Sequence, residues 1–97
     1  MIRHIVLFTI KDEFKQDIPQ LVEGFYGMVG KVDGLMALEA GGDILGSERS
    51  YDLGLVTLFR DRASFDAYQT HPAHMLVKKR IHEARSGSVA CDFEVKE

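Results

Sequence analysis

The most concentrated chemistry in this chain lies in the nine residues AYQTHPAHM, at positions 67–75. Tyr68, His71 and His74 fall within seven positions, and two of the chain's four histidines are among them. Because a histidine has an unperturbed pKa near ~6.5, it can exchange protons at neutral pH, and a nearby tyrosine can serve as its acid or base partner. The same residue types occur at helix junctions as hydrogen-bonded core or capping groups. The segment therefore has a catalytic and a structural interpretation, and the sequence leaves both open.

Pro72 divides this segment between two helices. Because helical geometry is disfavoured before a proline, His71 should cap or brace the turn, while Pro72 suits the first turn of the next helix. Val77 and Ile81 follow His74 by three and seven residues, which places all three on one helix face. His74 is therefore expected to point toward the protein interior.

Two further polar side chains are expected in the same layer. Tyr68 shares a helix side with Phe65, and His4 alternates with apolar residues such as Val6 in the first strand. Unpaired buried polar groups cost roughly 1–3 kcal/mol each, so these side chains need partners. If His4, Tyr68 and His74 converge, they line a cavity between sheet and helices, and these three are the candidate catalytic residues.

The histidines make a poor metal site. His71 and His74 form a His-x-x-His pair without the glutamate of a zinc-protease motif, and the sequence shows no evident third ligand. Cys91 is the single cysteine, which excludes an intrachain disulfide and a cysteine-rich zinc site. It lies in the alternating stretch VACDFEV, which predicts a buried strand position. The sequence predicts neither a metal nor a cofactor.

Hydrophobic periodicity predicts one domain over residues 1–97, with the element order β-α-β-β-α(α)-β. The predicted strands cover residues 2–10, 35–42, 51–59 and 89–95, and the predicted helices cover residues 19–32, 64–70 and 72–85. Ser86-Gly87 is expected to break the last helix. This order implies an α+β ferredoxin-like sandwich, in which helices cover one face of a four-stranded antiparallel sheet.

The sheet face opposite the helices is also predicted to be apolar. The strands over residues 2–10 and 51–59 carry mostly apolar side chains on both faces. A lone subunit would expose a patch of a kind that monomers rarely tolerate. The sequence therefore predicts a homodimer that packs sheet against sheet and forms a dimeric α/β barrel.

Composition argues against several kinds of partner. The chain has 12 Lys and Arg against 15 Asp and Glu, a net charge of −3, and a pI near 5.8, which favours neither nucleic acid nor an anionic membrane. The basic run at residues 78–80 is interpreted as a solvated helix face. No stretch approaches the ~20 apolar residues of a membrane span, and the N-terminus lacks a signal-peptide pattern. These features predict a cytoplasmic protein with no nucleic-acid or membrane partner.

The segments RHIVLFTIKDE, YDLGLVTLF, YQTHPAH and DFEV resemble, in this order, the stress-responsive α/β-barrel (Dabb) domain family. The resemblance implies a ferredoxin-like subunit in a sheet-to-sheet homodimer. A plant polyketide cyclase of that family has its catalytic tyrosine and histidine at the positions of Tyr68 and His74, and a pocket histidine at that of His4. In its aldol chemistry the histidine removes a proton and the tyrosine supports the oxyanion. Phe25 replaces a further tyrosine of that cyclase, and it joins His71 as a candidate ligand-binding residue.

Three functional hypotheses follow. The first is a small dimeric barrel domain that binds an apolar or carboxylate-bearing small molecule, or acts in a stress response. The second is a cofactor-independent, polyketide-cyclase-like enzyme that uses Tyr68 and His74 for aldol cyclisation. The third is a structural oligomer whose interior is filled by side chains. A cavity around His4, Tyr68 and His74 would favour the first two hypotheses over the third.

Overall fold

The computed structural model describes residues 1–96, which contain four β-strands and three α-helices. The strands are β1 (Ile2–Ile10), β2 (Leu35–Gly42), β3 (Leu53–Phe59) and β4 (Arg85–Glu94). The helices are α1 (Ile18–Tyr26), α2 (Arg62–Tyr68) and α3 (Pro72–Ala84), and a 3₁₀ helix over Asp12–Asp17 precedes α1. Strand β3 begins at residue 53 rather than at the predicted residue 51, and Asp52 just before it accepts a hydrogen bond from the Ile10 N–H through its carboxylate at 2.7 Å. The predicted element order and the ferredoxin-like α+β fold are confirmed.

The four strands form one antiparallel sheet in the order β2-β3-β1-β4. Side chains alternate between the two sheet faces, and on the helix side Phe8 and Phe59 are 7% and 0% exposed. Phe8 stacks on Phe25 of α1 with 5.9 Å between ring centroids. The core therefore lies between one sheet face and the helices. Within residues 1–96, no helix combines the length and the hydropathy needed to cross a membrane.

Helix α1 ends at Tyr26, short of the predicted end at Val32. Gly27 follows at once, and Gly30 has a φ of +83°, a left-handed conformation that does not continue a right-handed helix. Met28 and Val32 are nevertheless buried, at 1% and 6% exposure. The apolar residues that predict a longer helix are therefore buried as expected, although turns and not a helix carry them.

The junction between α3 and β4 also differs from the prediction. Ser86 and Gly87 are predicted to break the helix, but β4 begins at Arg85, directly after α3. The first residues of β4 already pair with β1: Arg85 lies opposite Ile10, and Gly87 lies opposite Thr9. A Cβ on Gly87 would lie 3.2 Å from Thr9 Oγ1, so the glycine permits a close approach within the sheet instead of ending the helix.

The sheet face away from the helices, here called the outer face, is apolar and open in the single chain. Its apolar side chains are those of Ile5, Leu7, Val56, Leu58, Val89, Cys91 and Phe93. Leu7, Val89 and Phe93 are 37%, 47% and 45% exposed. Cys91 is predicted to be buried, but in the single chain it is exposed, because it lies on this face of the edge strand β4.

Gly34 lies in the turn before β2, at a position that only glycine fits. Its φ is +83°, and a Cβ there would lie 2.2 Å from Ser64 Oγ and 2.4 Å from Ser64 Cβ. We expect Gly34→Ala to lower the free energy of unfolding by about 2–5 kcal/mol, because backbone strain of about 1–2 kcal/mol adds to overpacking of about 1–3 kcal/mol. Urea denaturation at one fixed protein concentration measures this loss.

Gly30→Ala is the matched control for this clash. Gly30 has the same φ of +83°, but a Cβ there would meet no atom of the described chain within 4 Å. This variant should lose only the backbone part, about 1–2 kcal/mol. Equal losses in the two variants would contradict the steric role that we assign to Ser64.

Candidate functional site

A cavity of about 170 Å³ lies between the sheet and the helices, beside the junction of α2 and α3. Most of its wall is apolar and is formed by Val6, Phe8, Phe25, Leu55, Val77 and Ile81. His4, Tyr68 and His74 also line it. The structure therefore brings the three predicted catalytic residues together at one cavity, with Phe25 beside them.

Side-chain caps at the starts of α2 and α3 fix the two helices that carry Tyr68 and His74. Asp61 caps the start of α2 through its carboxylate. At the start of α3, His71 Nδ1 accepts a hydrogen bond from the Ala73 N–H at 3.0 Å. Tyr68 ends α2, and its ring stacks on that of His74 with 3.9 Å between centroids and an interplanar angle of 24°. The short connection between the helices thus sets the spacing of the two rings.

The imidazole of His74 is half-buried, close to backbone carbonyls at the end of α2. Its Nδ1 is buried and has no hydrogen-bond partner within residues 1–96. Burial lowers the pKa of His74 below its ordinary 6.5; the carbonyls of Gln69 and Tyr68 oppose this effect, while positive charge on Lys78 and His4 adds to it. His74 is therefore neutral at pH 7 and can accept a proton or bind a polar group of a ligand.

Tyr68 is the complementary group because its hydroxyl stays protonated. The side chain is 2% exposed, and burial raises the pKa of the hydroxyl well above its ordinary value of 10.0. Its ring packs against Phe59, with 4.8 Å between centroids, and lies 6.4 Å from the ring of His4. At neutral pH the Tyr68 hydroxyl can thus donate a hydrogen bond to a developing oxyanion but cannot act as a base.

Asp92 is a partner of His4 that sequence reasoning did not identify. It lies directly opposite His4 in the β1–β4 ladder, and its carboxylate is hydrogen-bonded to His4 Nδ1. The His4 side chain is 15% exposed and that of Asp92 is 40% exposed. The carboxylate favours a proton on Nδ1 and fixes the orientation of the ring. Only the register between β1 and β4 reveals this pair, and that register is not legible in either strand alone.

His71 lies apart from the other predicted site residues. Within the described chain it lines a separate groove of about 390 Å³, together with Arg60 and Asp61, and Tyr68 contributes to both spaces. Its Nδ1 is already engaged as the cap of α3. The structure therefore agrees with the predicted bracing of the turn at Pro72 and does not bring His71 to the cavity of His4 and His74.

Three basic side chains at the cavity were not singled out from the sequence. Lys78 and His82 of α3 and Arg85 of β4 contribute to its lining. Lys78 belongs to the basic run that is interpreted as a solvated face, and its neighbour Lys79 is indeed exposed. Lys78 is also exposed, as a solvated face requires, but it borders the cavity as well, which that interpretation did not include.

The sequence model of the stress responsive A/B barrel domain family matches residues 2–95. The chain belongs to this family. An uncharacterised protein of Streptomyces coelicolor is 32% identical to it over 77 residues, which are 76% of this chain and 79% of that protein.

Solved structures share the fold of this A/B barrel domain. A dimeric ferredoxin-like protein of unknown function from Thermobifida fusca has a TM-score of 0.88 and 27% identity, over 97% of this chain and 90% of that one. A hydroxynitrile lyase from Passiflora edulis has a TM-score of 0.85 and 17% identity, over 99% of this chain and 94% of that one. The likeness to the lyase shows a common fold alone.

Proposed function

We propose that this domain binds a small, largely apolar organic molecule in the cavity, with a polar group of the ligand hydrogen-bonded to His74. The observation that carries this proposal is the cavity itself, about 170 Å³ with a mainly apolar wall in which His74 is one of a few polar side chains. An apolar pocket with few polar anchors is typical of small-molecule sites.

The cavity volume limits the size of the ligand. An apolar cavity of about 150 Å³ holds one benzene molecule, and this cavity has about 170 Å³. A single aromatic ring or a short alkyl chain therefore fits, with Phe8 and Phe25 among the side chains that would contact it. One functional group on that ring or chain would reach the polar side chains.

Filling the cavity tests the proposal. Val77 is half-buried and lines the cavity from α3, so Val77→Trp places an indole in the space. We expect the neutral one-ring compound phenylacetamide to shift the amide resonances of cavity residues saturably in the wild-type protein. The Val77→Trp variant should lose this saturable response because the indole occupies the site. Two-dimensional NMR spectra recorded during the titration measure the response of the wild-type protein and of the variant.

Val29→Trp serves as the control for the added indole. Val29 is 58% exposed in the turns after α1 and is not among the described residues that line the cavity. This variant should bind phenylacetamide as the wild type does. The proposal fails if the wild type shows no saturable response, or if Val77→Trp retains one.

We further propose that two copies of the chain pair through their outer faces. Apolar side chains of β1, β3 and β4 form this face, and the single chain leaves it open to water. Monomers rarely expose a contiguous apolar patch of this kind. The Thermobifida fusca protein, at 27% identity, is described as dimeric, which supports self-association of this chain.

A second candidate function is cofactor-independent proton transfer, as in aldol cyclisation. It is favoured by the stacking of the neutral His74 imidazole on the protonated Tyr68 phenol, with 3.9 Å between centroids. His74 would take a proton from a carbon next to a carbonyl, and the electron pair would form an enolate. The Tyr68 hydroxyl would donate a hydrogen bond to the enolate oxygen, while Asp92 holds His4 in a fixed orientation.

A further inference from the structure

The cavity is locally cationic in a chain that is acidic as a whole. Three histidines, one lysine and one arginine line it, and within the described residues no Asp or Glu does so. The chain carries 15 acidic against 12 basic residues, with a net charge of −3. Lys78 and Arg85 carry positive charge at neutral pH, and no lining carboxylate opposes them within the described residues.

The basic groups form a rim along one side of the cavity. His74, Lys78 and His82 follow one another at intervals of four residues on α3, which places them on one helix face. Arg85, three residues further on, begins β4 and lines the same cavity. We call Lys78, His82 and Arg85 the cationic rim.

No carboxylate of the described chain neutralises this rim. The ion pairs within residues 1–96 involve other basic groups. Arg85 is half-buried and donates a hydrogen bond to Ser88 Oγ at 3.3 Å, a neutral partner that also lines the cavity. A half-buried guanidinium without a counter-ion favours a bound anion, and its planar fork matches a carboxylate.

We infer that the ligand is a small carboxylic acid, whose carboxylate binds the cationic rim and whose apolar part lies toward Phe8 and Phe25. This inference rests on the proposed function, because it names the class of molecule that the same cavity binds. A carboxylate is the anion that fits the size limit best, since it adds only three heavy atoms to one ring or a short chain in about 170 Å³. Lys78 and Arg85 supply charge, and His82 supplies a further hydrogen-bonding nitrogen.

Phenylacetate and phenylacetamide form a matched pair of probes, because they differ mainly in charge. Calorimetric titration at pH 7 and low salt should give phenylacetate at least ~10-fold tighter binding than phenylacetamide, as expected for charge-assisted hydrogen bonds to a partly exposed site. The double variant Lys78→Gln/Arg85→Gln should lose this preference, so that phenylacetate binds no more tightly than phenylacetamide. Raised salt should also reduce the preference, because the rim is partly exposed.

The control is the double variant Lys79→Gln/Arg80→Gln, which likewise removes one lysine and one arginine charge, but at positions of α3 outside the lining of this cavity. It should keep the preference for phenylacetate. An equal loss in both double variants would overturn the inference, because the preference would then come from the general field of the protein.

Equal binding of acid and amide to the wild type overturns the inference but leaves the proposed function standing, whereas binding of neither overturns both. Tighter binding of benzylphosphonate than of phenylacetate overturns the assignment to carboxylic acids in favour of a phosphate-type anion.

Discussion

Replacing Leu7 with glutamate is expected to convert the proposed homodimer into monomers at micromolar concentration. Leu7 lies on β1, an inner strand of the sheet, and points to the outer face with 37% of its surface exposed in the single chain. Its Cδ2 would lie 3.4 Å from a Cβ on Gly54, so Leu7 covers that glycine of β3. Two copies of the carboxylate would lose water on pairing, at several kcal/mol each, which should raise the dissociation constant by at least ~10³-fold.

Sedimentation velocity over a dilution series measures this change directly. Leu76→Glu is the control, because Leu76 is 71% exposed on α3, on the helix side of the sheet. It introduces the same carboxylate away from the outer face and should leave the dimer intact. A wild-type protein that sediments as a monomer throughout the series would refute the proposed pairing, and so would a Leu7→Glu variant that stays dimeric.

The sheet could be predicted because its signal is local. The alternation of apolar side chains identifies β1 and β3 and assigns their side chains to the two faces of the sheet. The order of the elements then predicts that all helices pack on one of these faces. The inward orientation of His74 follows in the same way from its spacing to Val77 and Ile81. These conclusions need only the period of a strand or helix, which a single segment of sequence contains.

The parts of the site that could not be predicted depend on contacts between distant segments. Asp92 meets His4 only because β4 pairs with β1 in one particular register. Similarly, Arg85 reaches the cavity lining only because β4 begins directly after α3 and pairs with β1 at that point. After Tyr26 the chain changes from α1 to turns in which the N–H of Met28 and Val29 each bond the carbonyl three residues earlier, a change that the apolar spacing does not reveal.

Replacing His74 with glutamine should remove nearly all of the proton-transfer activity that the second candidate function predicts. Phenylacetone is a suitable probe, because its carbon-bound protons next to the carbonyl exchange with D₂O at a rate that proton NMR measures. A base held at the substrate contributes typically ~10²–10⁴-fold, so we expect a loss of this size in His74→Gln. Tyr68→Phe should lose activity for a different reason, since it removes the hydroxyl that would stabilise the enolate.

The pH dependence and one control separate catalysis from a general loss of structure. Because burial lowers the pKa of His74 below 6.5, the wild-type rate should rise with pH through a midpoint below 6.5 and then level off. The residual rate of the His74→Gln variant should not show this rise with pH. Tyr26→Phe removes a hydroxyl from an exposed tyrosine outside the cavity lining and should leave the rate unchanged. If wild-type protein does not accelerate exchange, or if Tyr26→Phe and Tyr68→Phe lose it equally, the His74–Tyr68 pair is not a catalytic unit for this chemistry, and the cavity functions in binding alone.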